Sequence, residues 1–326
     1  AAAALGVPVF NSPFQNARST AELILANVVG LNRKLGDCNR NMHGKVWNKS
    51  AKGCHEIRGK TLGVVGYGHV GSQLSVLAES FGMVVMFHDV VPKMPLGSAE
   101  SVDTLDELLE RSDVVVIAVP HAAHTRHLIN KERIAKMRPG ALLINNGVAQ
   151  DAVDIDALAA ALNDGHLRGA AVDVFPDMPD SLDASGWSSP LQKCPNTILS
   201  PFVSGNTIEC QRAIADELFD KITAYLRSAN THSAVNFPHI NPPAIESGHV
   251  RVGVVHKNTA GVLIHIVSAF ADVHMPFIQQ SVHADTGFTV VDLQLKSAQS
   301  PQAIDDAKRK LTAVGGDITR VIQYDG

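Results

Sequence analysis

No apolar stretch in the 326-residue sequence reaches the ~18 residues that argue for a membrane-crossing helix; each is interrupted well before that. Massed positive charge is missing too. The 28 Lys and Arg stand against 32 Asp and Glu, and no basic run interleaves with aromatics, so nucleic acid is not expected as a partner. Cysteine is scarce. Cys38, Cys54, Cys194 and Cys210 form no CxxC pair, and a chain this size needs no disulfide staples, so free thiols in a reducing compartment are the plain expectation. The sequence opens without methionine, signal peptide or transit peptide, so targeting is not legible from it. What is present is an ordinary globular composition, 45% apolar and 18% charged in 34.7 kDa, enough to bury substantial cores in two domains.

The most informative stretch runs from Thr61 to Val90. An apolar run, Leu62 to Val65, enters Gly66-Tyr67-Gly68-His69-Val70-Gly71; a helical pattern follows, and a second apolar run ends at Asp89. Each glycine has a physical reason. Gly66 permits a tight turn, Gly68 lets backbone approach a pyrophosphate, and Gly71 allows close packing of helix on strand. The helix N-terminus after Gly71 offers unpaired N–H groups to phosphates, and His69 and Val70 of the same turn are candidate cofactor-binding residues. Asp89, 18 residues past Gly71, is placed to accept from a ribose 2′-OH, which favours NAD over NADP.

Strands and helices alternate on both sides of this unit. Ser19-Thr20-Ala21-Glu22 reads as a capping box for a helix ending near Gly36, and Thr104-Leu105-Asp106-Glu107 as another. Apolar runs at Val114 to Val119, Gly140 to Asn145, Gly169 to Phe175 and Thr197 to Ser200 predict strands, and Asn206 to Arg227 a long helix. Near-continuous apolar strands between helices imply a parallel sheet covered on both faces. Residues 230–247, rich in proline and small polar residues, read as a linker. Beyond it the order is βαββαβ, with the second helix expected after Ser300-Pro301. The expected fold is therefore α/β: a doubly wound parallel Rossmann-type sheet over residues 1–229, then a small ferredoxin-like domain over 248–326.

Residues 6–23 (GVPVFNSPFQNARSTAEL), 57–83 (IRGKTLGVVGYGHVGSQLSVLAESFGM), 105–120, 169–176 (GAAVDVFP), 189–201 and 256–263 (HKNTAGVL) together resemble the D-3-phosphoglycerate dehydrogenase family, 2-hydroxyacid dehydrogenases with a C-terminal ACT domain. The resemblance runs end to end. It implies NAD as cofactor, an aspartate at Asp173 that meets the nicotinamide carboxamide, and an ACT effector site using His256 and Asn258. It also implies a dimer or a subunit of a larger complex, in the cytoplasm or an organelle matrix.

Two departures matter. The family begins with a substrate-domain lobe before the equivalent of Ala1, and the expectation is a member lacking that lobe, with residues 1–229 holding a remnant of the substrate domain. The second departure is chemical. Oxidising a 2-hydroxy acid needs a base for the hydroxyl proton, a carboxylate to orient the base, and a cation for the substrate carboxylate. The resemblance puts these roles at Phe202, Met178 and Ala149, and none of those side chains can perform them. His121, His124 and His127 follow the strand ending at Val119 and are the candidate substitutes, read first as an ordinary polar loop, with no metal expected. Pro276 replaces the second asparagine of the effector site, which argues against serine sensing. Asp89 and Asp173 have no packing role legible in the sequence, which supports retained NAD.

Three functions follow as expectations. The first is a catalytically inactive relative kept as a structural or assembly subunit that still binds NAD. The alternatives are an active NAD-dependent D-3-phosphoglycerate or 2-hydroxyacid dehydrogenase and an ACT-domain ligand sensor.

Overall fold

Seven short parallel strands carry the larger part of the chain. The computed structural model describes residues 1–179, 184–294, 305–306, 309–311 and 317–325, and the chain divides into two compact units, one over 14–211 and another formed by 1–13 with 212–326. In the first unit the elements are α1 (Ala17–Asn32), α2 (Leu35–His43), β1 (Thr61–Val65), α3 (His69–Ser80), β2 (Val84–His88), β3 (Glu100–Ser101), α4 (Leu105–Arg111), β4 (Val114–Ile117), α5 (Lys131–Lys136), β5 (Leu142–Asn145), α6 (Ile155–Asn163), β6 (Gly169–Val172), β7 (Thr197–Leu199) and the start of α7 (Ile208–Ser228). The strand order is β3-β2-β1-β4-β5-β6-β7, so the chain reverses direction across the sheet between β1 and β4. That reversal opens a crevice at the carboxyl ends of the strands, where ligands of such sheets bind.

The reason every strand is apolar throughout is visible in β4. Val115 and Ile117 join one core with Leu108, Leu143 and Leu158, while Val114 and Val116 join the other with Ile24, Val28 and Leu74. Alternate side chains thus enter helix layers on opposite faces, and neither face is left to water. Local signals agree at two helices. The Thr104 side chain accepts from Glu107 N at 3.1 Å and Asp154 caps α6 at Ala157 N.

The expected capping box at Ser19 is not formed. The helix starts one turn earlier at Ala17, because Thr20 N reaches Asn16 O and continues the turn upstream, and Ser19 Oγ instead meets Thr207 Oγ1 at 2.8 Å. That helix also ends early. Lys34 takes a left-handed φ of 52°, and α2 begins at Leu35.

In the second unit β8 (His249–Lys257), α8 (Val262–Ala269), β9 (His274–His283), β10 (Thr286–Gln294) and β11 (Ile318–Asp325) form an antiparallel sheet ordered β11-β8-β10-β9. The helix expected after Ser300-Pro301 begins outside the described residues. Val252, Val254 and Val291 face α8 through Ile266 and Phe270. The other face is covered by residues expected as a linker: Phe237 and Ile240 are fully buried against Val255, Phe288 and Val290. Proline and small polar residues hide this function from sequence periodicity, since the apolar side chains that cover the face are spread irregularly among them. Residues 7–10 pack here too, with Phe10 bridged to Ala234 and Val235 N bonded to Val9 O at 2.8 Å. A buried ion pair crosses the sheet, Arg251 Nε to Asp292 Oδ1 at 2.6 Å and Nη2 to Oδ2 at 2.7 Å.

His256, at the end of β8, is buried and bonded to the Lys257 carbonyl through Nδ1 (2.8 Å) and to Thr289 Oγ1 through Nε2 (2.9 Å). The carbonyl fixes the proton on Nδ1, and Nε2 then accepts from the hydroxyl. Burial holds this imidazole below the usual histidine value of 6.5, partly offset by the Lys257 bond. In acid the unfolded chain takes up the proton first, so stability present above that value is lost as pH falls through and below it. Thermal melts of the protein from pH 8 down to pH 5 will show a loss for the second unit that is smaller in His256→Gln; equal slopes would contradict this assignment.

Candidate functional site

The glycine turn leaves β1 and enters α3 at the crevice. Gly66 has φ +92°, and a Cβ there would lie 2.8 Å from the Ala118 carbonyl; a Cβ on Gly71 would lie 2.4 Å from the Gly66 carbonyl. Both glycines are therefore demanded by the protein itself, one by conformation and one by contact of helix with strand. Gly68 differs. It is exposed, its φ is −84°, and a Cβ would meet nothing within 4 Å. No neighbour within the protein requires glycine there, while a ligand lying against the backbone would. The space is the kind of cradle that a pyrophosphate fills at the N-terminus of α3.

His69 and Val70 open that helix. The His69 ring lies 3.9 Å from the Phe14 ring, and Val70 is half-buried against the core. Asp89, just past β2, accepts from Tyr67 N at 2.8 Å and Val91 N at 3.0 Å. The carboxylate thus holds the turn and still has lone pairs for another donor. Tyr67 itself stacks on Phe87 (3.8 Å) and bonds Ser75 Oγ (2.7 Å), which anchors the turn in the core.

Asp173, past β6, is wholly buried. It accepts from Ser200 Oγ at 2.5 Å, Val203 N at 3.0 Å and Ser204 N at 2.9 Å, while its carbonyl accepts from Phe202 N at 2.8 Å. The side chain is the tether that shapes residues 200–204, a structural role that sequence did not disclose. Phe202 sits on that loop half-exposed, with a left-handed φ of 54°. Met178 is partly buried against the core that also holds Phe175 and Trp187, whose rings meet edge to face at 4.7 Å. Ala149 is fully buried, and its carbonyl is met by Ala152 N at 3.4 Å.

One pairing was missed by sequence reasoning. His121 Nδ1 lies 3.3 Å from Asp151 Oδ1, and Arg126 Nε lies 3.8 Å from Asp151 Oδ2. These residues come from loops after β4 and β5, thirty positions apart, so spacing carries no signal of their meeting. Asp151 O also accepts from His127 N, which has a left-handed φ of 48°; His124 lies in the short turn of helix at Ala123–Thr125. Among the described residues no group of three or more His, Cys, Asp or Glu is placed to hold a metal ion, and no helix is long and apolar enough to cross a membrane. His256 lies in the second unit's buried network; Asn258 is exposed, with its N–H bonded to Asp285 O.

Residues 25–204 match the family described as D-isomer specific 2-hydroxyacid dehydrogenase, NAD binding domain. The chain is 43% identical over 318 residues to a D-3-phosphoglycerate dehydrogenase of Dictyostelium discoideum, covering 97% of this chain and 76% of that protein. It is 45% identical over 326 residues to a protein of the same name from Haemophilus influenzae, covering 99% and 77%. Among solved structures, an NAD-complexed D-isomer specific 2-hydroxyacid dehydrogenase of Lactobacillus delbrueckii ssp. bulgaricus is similar with TM-score 0.65 and 25% identity, covering 71% of this chain and 73% of that one. An NAD-dependent formate dehydrogenase of Staphylococcus aureus in complex with NAD is similar with TM-score 0.60 and 27% identity, over 67% of this chain and 65% of that one.

The three glycines separate by stability. Gly66→Ala and Gly71→Ala will each lower stability by about 1–3 kcal/mol through strain and overlap, while Gly68→Ala will stay within about 0.5 kcal/mol of the parent. Denaturant melts of the three variants check this, and a Gly68→Ala loss equal to the others would remove the argument for a ligand cradle.

Proposed function

The chain belongs to the D-isomer specific 2-hydroxyacid dehydrogenase family, and from that premise we propose that it binds NAD in the crevice of its first unit and is silent in the family's oxidation of a 2-hydroxy acid. The binding half rests on Gly68, where no neighbour within the protein requires glycine and open space lies against the backbone. Gly66, Gly68, His69, Val70 and Gly71 would flank the pyrophosphate, and Asp89 would receive a ribose hydroxyl. Asp173, already saturated by three donors, would present the loop after β7 to the nicotinamide.

The single observation that carries the silent half is Phe202. NAD, when bound, accepts a hydride; the protein must remove the hydroxyl proton as that hydride leaves. At the base position stands a half-exposed phenyl ring with no titratable atom. Met178 is packed into apolar surroundings and Ala149 is buried, so neither orients a base nor holds a carboxylate. Losing a general base alone costs about 10²–10⁴-fold in rate. Such a protein retains value as a subunit. Exposed Phe219, Ile222 and Leu226 line one face of α7, and exposed Leu35, Met42 and Trp47 lie in and beside α2; these support a homodimer or a place in a larger complex. The βαββ…β unit fits an ACT-type assembly module, with His256 and Asn258 as its effector candidates.

A second reading, an active D-3-phosphoglycerate dehydrogenase, is favoured by the names of relatives 43% and 45% identical over nearly the whole chain. The His121–Asp151 pair is its best chemical support, an imidazole beside a carboxylate at the crevice edge. Pure protein given NAD and 3-phosphoglycerate, with absorbance followed at the nicotinamide band, separates the two. The silent reading expects no reduction above background. Turnover near ~1 s⁻¹ or faster would overturn it, and its loss in His121→Gln with unchanged NAD affinity would establish the second reading.

A further inference from the structure

At the opposite, amino-terminal edge of the seven-stranded sheet, cations gather around one buried asparagine. Asn32, at the end of α1, is fully buried; its Oδ1 accepts from Arg168 Nη2 at 2.9 Å and its carbonyl accepts from His55 N at 2.9 Å. Arg168 immediately precedes β6 and Lys60 immediately precedes β1. Lys34 reaches the same neighbourhood, because its Nζ lies 3.0 Å from where a Cβ on Gly53 would stand, two residues before His55.

These charges are poorly answered. Arg168 Nε is buried and meets no acceptor, and the guanidinium's nearest bonded partner is the neutral Asn32 amide. The carboxylate that acts on Arg168 is Asp113, and it is committed elsewhere: Oδ2 accepts from Thr61 N at 2.9 Å and Oδ1 from Arg138 Nη1 at 3.1 Å. Asp113 is thus shared between Arg138, the Thr61 N–H and the field of Arg168. His55 registers the field: Arg168 first, then burial, Lys60 and Lys34, push its imidazole below the usual histidine range against a smaller opposing pull from Asp113. The Cys54 thiol sits beside Arg33 O at 3.7 Å and also acts on Arg168. A partly buried guanidinium with an unmet donor is costly unless an acceptor arrives, and an oxyanion supplies several at once.

We propose that this edge is a binding site for a phosphate group, held by the Arg168 guanidinium with Lys34, Lys60 and His55, at the other end of the strands from the glycine turn. The ligand is inorganic phosphate or a small phosphate monoester; both present the same tetrahedral oxyanion to the same donors. The site does not depend on dinucleotide binding or on turnover.

The test uses the full chain at constant ionic strength, titrated with inorganic phosphate and separately with glycerol 3-phosphate, and followed through the His55 ring resonance assigned with His55→Gln. The expected result is a saturable shift of that resonance with one or both probes and a rise in the His55 pKa. Arg168→Gln and Lys60→Gln should each weaken the affinity about tenfold or more, and Lys193→Gln should leave it unchanged. Should Arg168→Gln fold poorly, Lys60→Gln carries the comparison alone. No saturable shift with either probe, or equal affinity in parent and both variants, would overturn the proposal; phosphate captured only at the glycine turn gives that second result.

Discussion

The contact of α3 with β1 is the constraint on which the first unit depends. A single side-chain carbon on Gly71 would drive into the Gly66 carbonyl, and one on Gly66 would strike Ala118. Only with both carbons absent can the chain turn out of the sheet and close the helix onto it, beside the point between the paired strands β1 and β4 where the strand order reverses. The neighbouring bonds serve the same turn. Asp89 holds Tyr67 N, Gly66 N holds the His88 carbonyl, and the Tyr67 ring is pinned between Phe87 and Ser75.

The same crevice separates two properties that usually travel together. The turn for a dinucleotide is complete, and Gly68 leaves open space that no internal packing explains. The loop after β7 is equally well built, with Asp173 buried beneath it and bonded to three donors, yet the residue this scaffold displays is Phe202. Family membership follows from the matched domain and the identities, whereas catalysis belongs to the particular side chains.

The strand, turn and helix around Gly66 were legible in sequence because glycine spacing, apolar runs and the terminal Asp89 are local signals that agree. The cap at Thr104 was legible for the same reason. The cap at Ser19 misled, since its pattern is satisfied while the chain upstream can also turn helically. What stayed hidden was non-local. Phe237 and Ile240 cover a sheet whose strands follow them, Asp173 takes donors from 27 to 31 positions away, and Asp151 meets His121 from another loop. Periodicity cannot carry such information, because each contact depends on how loops of irregular conformation return to one place.

The most direct measurement is a titration of parent and Gly68→Ala proteins with NADH, read by energy transfer from Trp47 and Trp187 to the nicotinamide. The account predicts saturable binding to the parent and at least about tenfold weaker binding to the variant, a loss of ~1.4 kcal/mol or more with unchanged folding. No saturable binding to the parent, or equal affinity in the two, would contradict it and leave the glycine turn as a packing device alone.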